Sequence, residues 1–476
     1  MGRSTHAVVL GGGHSGMLAA TALAHHADTV TVLDRDQLLL DAAAPRKGVP
    51  QARHLHVLMS GGARAIDALL PGTIDRLRGL GAHRIGVPED VVTLSADGWQ
   101  HRFPQTQFMI TASRDLTDWV VRDQALRDDR VHLLQGCEIQ ALLGGPDRVT
   151  GVRVAVAQDG PNSTRDLPAD IVVDCTGRAG RLRRWLAELG VPAVPEEIVD
   201  SGLAYATRIY EAPRGTREHF PVVNIFSDYR EPVPGRSASL VPIEHGRWMI
   251  SLTGTRGGRP PRDEEAFDAF ARTLRDPLIS RLMAVARPLT EVRGSSTAAN
   301  RRLYCERATA WPAGLVVLGD ALVAFNPVYG TGMSSAARSA LVLAHALDDT
   351  GIDEGCARRA QQAIGEVVDD PWVMATTQDI CYPDVRTTVV DPRLVRRTPE
   401  ADRASRYFGR MALRHPVVNE ALTDVITLSA PMRDLGAPHV AAALDGVGAR
   451  PELTGPPLRP AEIALLEGAL VPTDRP

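Results

Sequence analysis

The chain is short of lysine: of 53 basic residues, Lys47 is the sole lysine and every other is arginine. Any chemistry that needs a lysine must therefore use Lys47. Cysteine is sparse as well, and the five present (Cys137, Cys175, Cys305, Cys356 and Cys381) are odd in number, widely spread and without a metal-ligand spacing. They read as reduced, structural thiols of a cytoplasmic protein rather than a disulfide framework or a metal centre. An excess of positive charge is also missing, since the formal net charge is −4. That excludes the electrostatic case for nucleic acid or an anionic membrane surface as a partner. No apolar run reaches membrane-spanning length, and the first strand pattern begins at residue 6, which leaves no room for a signal peptide. Met1-Gly2 also fails the myristoylation pattern, because His6 stands where a hydroxyl residue is required. No internal repeat is present.

Two glycine signatures about three hundred residues apart carry most of what the chain does say. The first is Gly11-Gly12-Gly13-His14-Ser15-Gly16, between the apolar run His6 to Leu10 and the helix-forming stretch Met17 to Ala24. This strand, Gly-x-Gly-x-x-Gly, helix order is the dinucleotide-binding context. In it Gly11 permits the tight turn, Gly13 lets the backbone approach a pyrophosphate, and Gly16 lets helix and strand pack closely. A second strand, Thr29 to Leu33, ends in Asp34, about where an acidic residue meets adenosine ribose hydroxyls. NAD and FAD share this fingerprint, so the second signature decides between them. The run Leu315 to Leu318 is a buried strand that delivers Gly319-Asp320 at its carboxyl end, where an acceptor can hold ribityl hydroxyls. The loop Pro327-Val328-Tyr329-Gly330-Thr331-Gly332-Met333 then runs into a helix expected over 334–346. Its backbone N–H groups and positive helix end suit the pyrimidine side of an isoalloxazine ring. Charge developing there on reduction is stabilised by about 0.3 to 2 kcal/mol.

At 476 residues the chain exceeds one ordinary core and should divide. The expected fold is α/β: a Rossmann-like FAD-binding domain of the class A flavoprotein monooxygenase type, assembled discontinuously from residues 1–95, 112–190 and 290–348. An inserted antiparallel-sheet substrate domain is expected over 96–111 and 195–289. A mostly helical region with a proline-rich tail is expected over 349–476. Alternation of Trp248, Ile250 and Leu252 with Met249, Ser251 and Thr253 after a His245-Gly246 turn is a hairpin pattern. Phe220, Val222, Ile225, Trp248 and Ile250 are expected to line a substrate cavity or, equally, to pack a core. His54 and His56, two apart on an expected helix, would point about 200° apart, so that at most one faces the ring. Arg114, on a helix expected over 112–128, either binds the cofactor or pairs with a local carboxylate.

By this point the chain resembles the flavin-dependent epoxidases of polyether ionophore biosynthesis, of the monensin and lasalocid type. The resemblance rests on Arg46-Lys47-Gly48-Val49-Pro50-Gln51-Ala52-Arg53-His54, Gly98-Trp99-Gln100-His101-Arg102-Phe103-Pro104, Ala204-Tyr205-Ala206-Thr207-Arg208, Ala299-Asn300-Arg301-Arg302-Leu303-Tyr304, and Ala324-Phe325-Asn326-Pro327 with the run Gly332 to Arg338. These stretches span nearly the whole chain. The resemblance implies FAD as cofactor and O2 as cosubstrate, with a C4a-hydroperoxyflavin delivering oxygen to double bonds of a linear polyketide polyene, free or tethered to a carrier. It further implies a downstream epoxide-opening enzyme. Gly11, Gly13, His14, Ser15, Gly16, Asp34, Arg35, Arg114, Gly319, Asp320, Gly330, Gly332 and Met333 would hold FAD, with Arg46 near its pyrophosphate or ring. The Pro327 backbone would border the hydroperoxide. An alkene is already nucleophilic, so orientation and water exclusion suffice and no catalytic acid or base is expected.

Further absences separate the rival chemistries. A flavin halogenase needs a lysine relay and a Trp-x-Trp-x-Ile-Pro stretch, whereas the six tryptophans here lie far apart and Lys47 precedes the required region. Many monooxygenases of this kind carry Asp-Gly where this chain has Thr176-Gly177, and that Asp is linked to nicotinamide handling. There is no second dinucleotide fingerprint, so either NADPH docks only transiently or an external flavin reductase supplies electrons. The alternatives are an aromatic hydroxylase, a flavin reductase acting on isoprenoid-like alkenes, and a flavin-bearing binding module without turnover.

Overall fold

The computed structural model describes residues 4–156, 163–396 and 398–468. Residues 1–3 and 469–476, the ends of the first and last expected regions, lie outside them. Five parallel strands form the nucleotide sheet, in the order Leu315–Val317, Ile171–Asp174, His6–Leu10, Thr29–Asp34, Val131–Gln135. Ala7, Val8, Val9 and Leu10 are all fully buried, because a parallel sheet is covered on both faces and its strands read as continuous apolar runs. The helices His14–Ala24 and Gly332–Asp348 pack against each other. An antiparallel meander of Cys137–Gly144, Val149–Val156 and Thr164–Pro168 lies beside the sheet.

The second sheet is built on the long strand Glu196–Glu211, which pairs antiparallel with Arg293–Leu303 on one side and Arg247–Gly254 on the other. Positive φ at His245 (66°) and Gly246 (63°) turns the hairpin between Arg236–Ile243 and Arg247–Gly254. The two-residue period sorts this sheet into two faces. Trp248, Ile250 and Leu252 meet Phe267, Ile279 and Leu282 from the helices Glu264–Ala271 and Leu278–Val285. Met249, Val241 and Val222 meet Val57 and Met109 on the opposite face.

Two short strands sit elsewhere than their sequence positions suggested. Val91–Ser95, expected in the nucleotide-binding part, pairs in parallel with Val222–Ile225 and so extends the large sheet. Gln107–Thr111, expected in the substrate sheet, pairs instead with Val57–Met59 and His83–Val87. Neither pairing is local, and strand type alone does not choose a partner.

The described residues after 349 are mostly helical. The helix Cys356–Asp379 packs on Gly332–Asp348, and Pro399–Arg414 packs on Pro416–Ile426. The described part of the proline-rich tail is anchored: Leu465 is buried in the Trp248 core, and Glu462 accepts from Arg102 at 2.8 Å.

Candidate active site

The first signature contains two kinds of glycine. Gly11 has φ +99°, and a Cβ there would lie 2.7 Å from the Cys175 carbonyl oxygen; one on Gly16 would lie 1.7 Å from the Gly11 oxygen. Both are demanded by packing within the protein. Gly13 is extended, and a Cβ would meet only Arg46 Nη1 at 3.7 Å. The protein itself tolerates a side chain at Gly13, so the glycine keeps the cleft in front of it clear for a close-lying ligand. Gly13 also precedes the helix His14–Ala24, whose start no side chain caps.

Asp34 ends the second strand, nearly buried. Its Oδ2 accepts from the Gly12 N–H at 2.8 Å and Arg46 Nη2 at 2.6 Å, and its Oδ1 accepts from the Asp36 N–H at 2.8 Å. Arg46 also donates to the Gly12 carbonyl at 3.2 Å, which puts it beside the phosphate turn. Gly11, Gly13, Asp34, Arg35 and Arg46 line one cavity. A second is lined by Gly13, His14, Ser15, Arg114, Gly319, Asp320, Pro327, Gly330, Gly332 and Met333. Gly13 and Cys175 belong to both, so the cavities meet at the mouth of the parallel strands. Gly16 lines neither.

The far end of this cleft is the start of the helix Gly332–Asp348, again with no side-chain cap. A Cβ on Gly332 would meet no atom within 4 Å, whereas one on Gly330 (φ +65°) would lie 2.6 Å from Val57 and one on Gly319 (φ +66°) 2.9 Å from Ser15. Thr331 Oγ1 and Asn326 Oδ1 are buried without a hydrogen-bond partner. Two uncapped helix starts, two open glycine faces and unsatisfied polar atoms along one cleft fit FAD, whose pyrophosphate and ring both call for N–H donors.

The charged groups at the ring end are Arg114, Arg178 and Asp320, beside three histidines that burial holds neutral. Arg114 Nε donates to Asp118 Oδ1 at 2.6 Å and still lines the cavity, so the local pairing and a cleft-facing position coexist. Burial, with Arg114 adding, pushes His14 down to about 4. The helix expected to carry His54 and His56 is replaced by one 3-10 turn, Pro50–Arg53, after which the backbone is extended. Both imidazoles therefore line the ring-side cavity, against the expectation that at most one could. The alternation of His54, Leu55, His56 and Val57 leading into the strand Val57–Met59 was the available signal.

His56 Nδ1 lies 2.9 Å from the His54 carbonyl oxygen. A carbonyl only accepts, so Nδ1 carries the proton. Burial and Arg114 push His56 down to about 3, which leaves a neutral ring with Nε2 as an acceptor. His54, pushed down to about 4 by burial, shares a 2.9 Å hydrogen bond with Thr207 Oγ1 and stands edge-on to Tyr205 at 4.3 Å.

None of Phe220, Val222, Ile225, Trp248 and Ile250 lines either cavity. Four of them belong to the core under the helices, where the Phe220 and Trp248 rings are 4.4 Å apart. Val222 lies on the opposite face, in the apolar cluster against which Leu55 packs. The sheet's period places them correctly as buried residues, but it cannot say which face meets the cleft. Residues not singled out as lining include Tyr205, Ser295 and Arg178. Arg178 donates to the Ala299 carbonyl at 2.6 Å and the Phe325 carbonyl at 3.0 Å, tying the two sheets together behind the cavity. Thr176 donates both its N–H (2.8 Å) and its hydroxyl (2.6 Å) to Asp174, whose carboxyl burial pushes up. No group of three or more His, Cys, Asp or Glu among the described residues is placed to hold a metal ion, and no described helix is long and apolar enough to cross a membrane.

A model of the FAD binding domain family matches residues 4–350. The chain belongs to that family of flavin-dependent monooxygenases. Protein Rv3254 of Mycobacterium tuberculosis (strain ATCC 25618 / H37Rv) is 29% identical over 391 residues, covering 79% of this chain and 80% of its own. Among solved structures, the flavin-dependent brominase Bmp2 superposes with a TM-score of 0.66 at 12% identity, over 93% of this chain and 98% of its own. p-Nitrophenol 4-monooxygenase PnpA from Pseudomonas putida DLL-E4 does so with 0.60 at 16% identity, over 90% and 99%. At these identities the likeness is one of fold, that of the class A flavoprotein monooxygenases.

Proposed function

We propose that this FAD-dependent monooxygenase epoxidises carbon–carbon double bonds of a linear polyketide polyene in polyether antibiotic biosynthesis. One observation carries the reading. Three of the five stretches that resemble polyether epoxidases, scattered between Arg46 and Arg338, line a single cleft, through Arg46, Pro50, Gln51 and His54, through Tyr205, and through Phe325, Asn326, Pro327, Gly332, Met333 and Ala336. A fourth reaches it only through the Ala299 carbonyl, which accepts from the cavity-lining Arg178. The fifth, Gly98 to Pro104, packs elsewhere, with Trp99 in the core under the helices.

Bound in the cleft, reduced FAD would supply the two electrons that activate O2, one oxygen atom of which passes to the alkene while the other leaves as water. The chain's part is placement. The helix start at Gly13 and His14, with Arg46 beside it, would hold the pyrophosphate. Asp320 would take the ribityl hydroxyls. The N–H groups at Gly332 would face the ring's pyrimidine side, with Pro327 at its edge. Leu55 and Val57, backed by Met109, Val222 and Met249, give the apolar wall against which an alkene can lie without water. The electron source is NADPH docking transiently or a separate flavin reductase, and a downstream enzyme opens the epoxides.

One observation favours a second reading. His56 lines the ring-side cavity with an unprotonated Nε2 and with Arg114 nearby, an arrangement able to accept a hydrogen bond from a phenol and to steady partial negative charge on its oxygen. Such contacts would suit an aromatic hydroxylase. Anaerobic reduction of the FAD-loaded protein, followed by mixing with a polyene polyketide analogue and 18O2, separates the readings by mass spectrometry. One 18O gained per alkene lost supports the epoxidase; 18O entering only phenolic substrates replaces it with a hydroxylase.

A further inference from the structure

Asp379 is the last residue of the helix Cys356–Asp379 and lies beyond the span that the family model matches. It is 1% exposed, yet its carboxylate collects four donors from three separate segments. Oδ1 accepts from the Tyr329 hydroxyl at 2.6 Å. Oδ2 accepts from Asn300 Nδ2 at 2.6 Å, from Asn326 Nδ2, and more distantly from Ser201 Oγ at 3.5 Å. The Asn326 N–H in turn donates to Asn300 Oδ1 at 2.7 Å, which fixes the orientation of the Asn300 amide. A buried carboxylate requires such donors, and here they are all uncharged.

What these donors have in common is their place. Asn326 and Tyr329 bracket Pro327 in the 3-10 turn Pro327–Tyr329, and Asn326, Pro327 and Gly330 line the ring-side cavity just ahead of the uncapped helix start. Ser201 sits where the pairing of Glu196–Glu211 with Arg293–Leu303 shifts register, and Asn300 lies on the latter strand. We propose that Asp379 is a positioning residue for the flavin ring, gripping Asn326 and Tyr329 so that the Pro327 turn and the N–H groups of the following helix start stand at a fixed place in the cleft. The inference rests on the reading of the cleft as an FAD site.

A merely structural role is distinguishable through a neighbour on the same helix. Asp369 pairs with Arg302 at 2.7 Å and with Arg393 at 2.6 Å and lines neither part of the cleft. In the full chain, Asp379→Asn and Asp369→Asn are compared by three readouts: thermal midpoint without FAD, FAD affinity by fluorescence titration, and the visible spectrum of bound oxidised FAD. Asp379→Asn should weaken FAD by about tenfold, the scale of one lost hydrogen bond to a charged group, and alter the visible bands. Asp369→Asn should lower the midpoint with affinity and spectrum unchanged. Wild-type affinity and spectrum in a folded Asp379→Asn protein overturn the proposal. If that variant does not fold, Tyr329→Phe, which deletes one donor and keeps the ring, is measured the same way: a weaker affinity with altered bands supports the proposal and an unchanged flavin overturns it. A wild-type protein that takes up no FAD overturns the reading of the cleft, and the proposal with it.

Discussion

The two ends of the cleft are built differently. The phosphate and adenosine end is anchored on one strand-turn-helix-strand unit and the chain just after it, with Gly11, Gly13, Asp34, Arg35 and Arg46 all within the first fifty residues, and is walled by the two segments 137–139 and 175–185. The ring end is assembled from segments around His14, His54, Arg114, Tyr205, Asp320 and Gly332, and is braced from behind by Asp379. A local unit can be recognised by spacing alone, because the chain geometry fixes which residues meet. An assembled end depends on pairings between remote strands, which spacing does not encode.

The sharpest way to break this comparison lies within the local unit. Gly16→Ala would drive a Cβ to 1.7 Å from the Gly11 oxygen, and no flexible side chain is there to give way. The expected outcome is failure to yield folded, soluble protein. Gly13→Val should instead fold, with a thermal midpoint near that of wild type, and lose FAD by more than about a hundredfold because its side chain fills the phosphate approach. A yellow, flavin-replete Gly13→Val protein sinks the assignment of the cleft.

How much was legible follows the same division. The parallel strands that begin at His6, Thr29 and Leu315, the first glycine turn and the helix after Gly332 read directly, since each has its own period or breakers. The faces of the large sheet did not. Trp248 and Ile250 alternate as a half-buried strand should, but the helices Glu264–Ala271 and Leu278–Val285 claim their face. Trp248→Ala should therefore cost about 3–5 kcal/mol of stability and leave FAD affinity unchanged, as denaturant unfolding and flavin titration would register. Altered flavin binding in the folded variant would put this face back in contact with the site. His54 and His56 were misplaced for a smaller reason: Pro50 opens a single 3-10 turn, and one turn too few exchanges opposite helix faces for a shared cavity.

Asp379 allows the braced end to be tested through pH. Burial pushes its carboxyl up to about 6, against roughly 3.9 in an unfolded chain. Between those values the folded protein binds more protons than the unfolded one, so this group's contribution to stability falls as pH rises. At about 1.4 kcal/mol per pH unit, the whole effect is at most about 3 kcal/mol. An Asn at this position does not titrate. The stability advantage of wild type over Asp379→Asn should thus shrink as pH rises from about 4 to about 6, read by denaturant unfolding at several pH values. A gap that stays constant across that window means that Asp379 does not titrate there.

The smallest expected effect sharpens the comparison most, because it sets one carboxylate at each end against the other. Asp34 is already satisfied within the protein by Gly12, Asp36 and Arg46, so Asp34→Ala leaves Arg46 and two N–H groups without their partner. Arg46 keeps its bond to the Gly12 carbonyl but loses its closest partner, so the substitution should lower both fold stability and FAD affinity. Asp320 lines the ring-side cavity and accepts no hydrogen bond among the described residues. Asp320→Ala should then leave fold stability within about 0.5 kcal/mol and weaken FAD by about 1–3 kcal/mol, the cost of ribityl hydroxyls left unpaired. Thermal melts without FAD and fluorescence titration with it separate the two variants. Equal stability losses would mean that Asp320 serves the fold as Asp34 does, and an unchanged FAD affinity would remove Asp320 from the site.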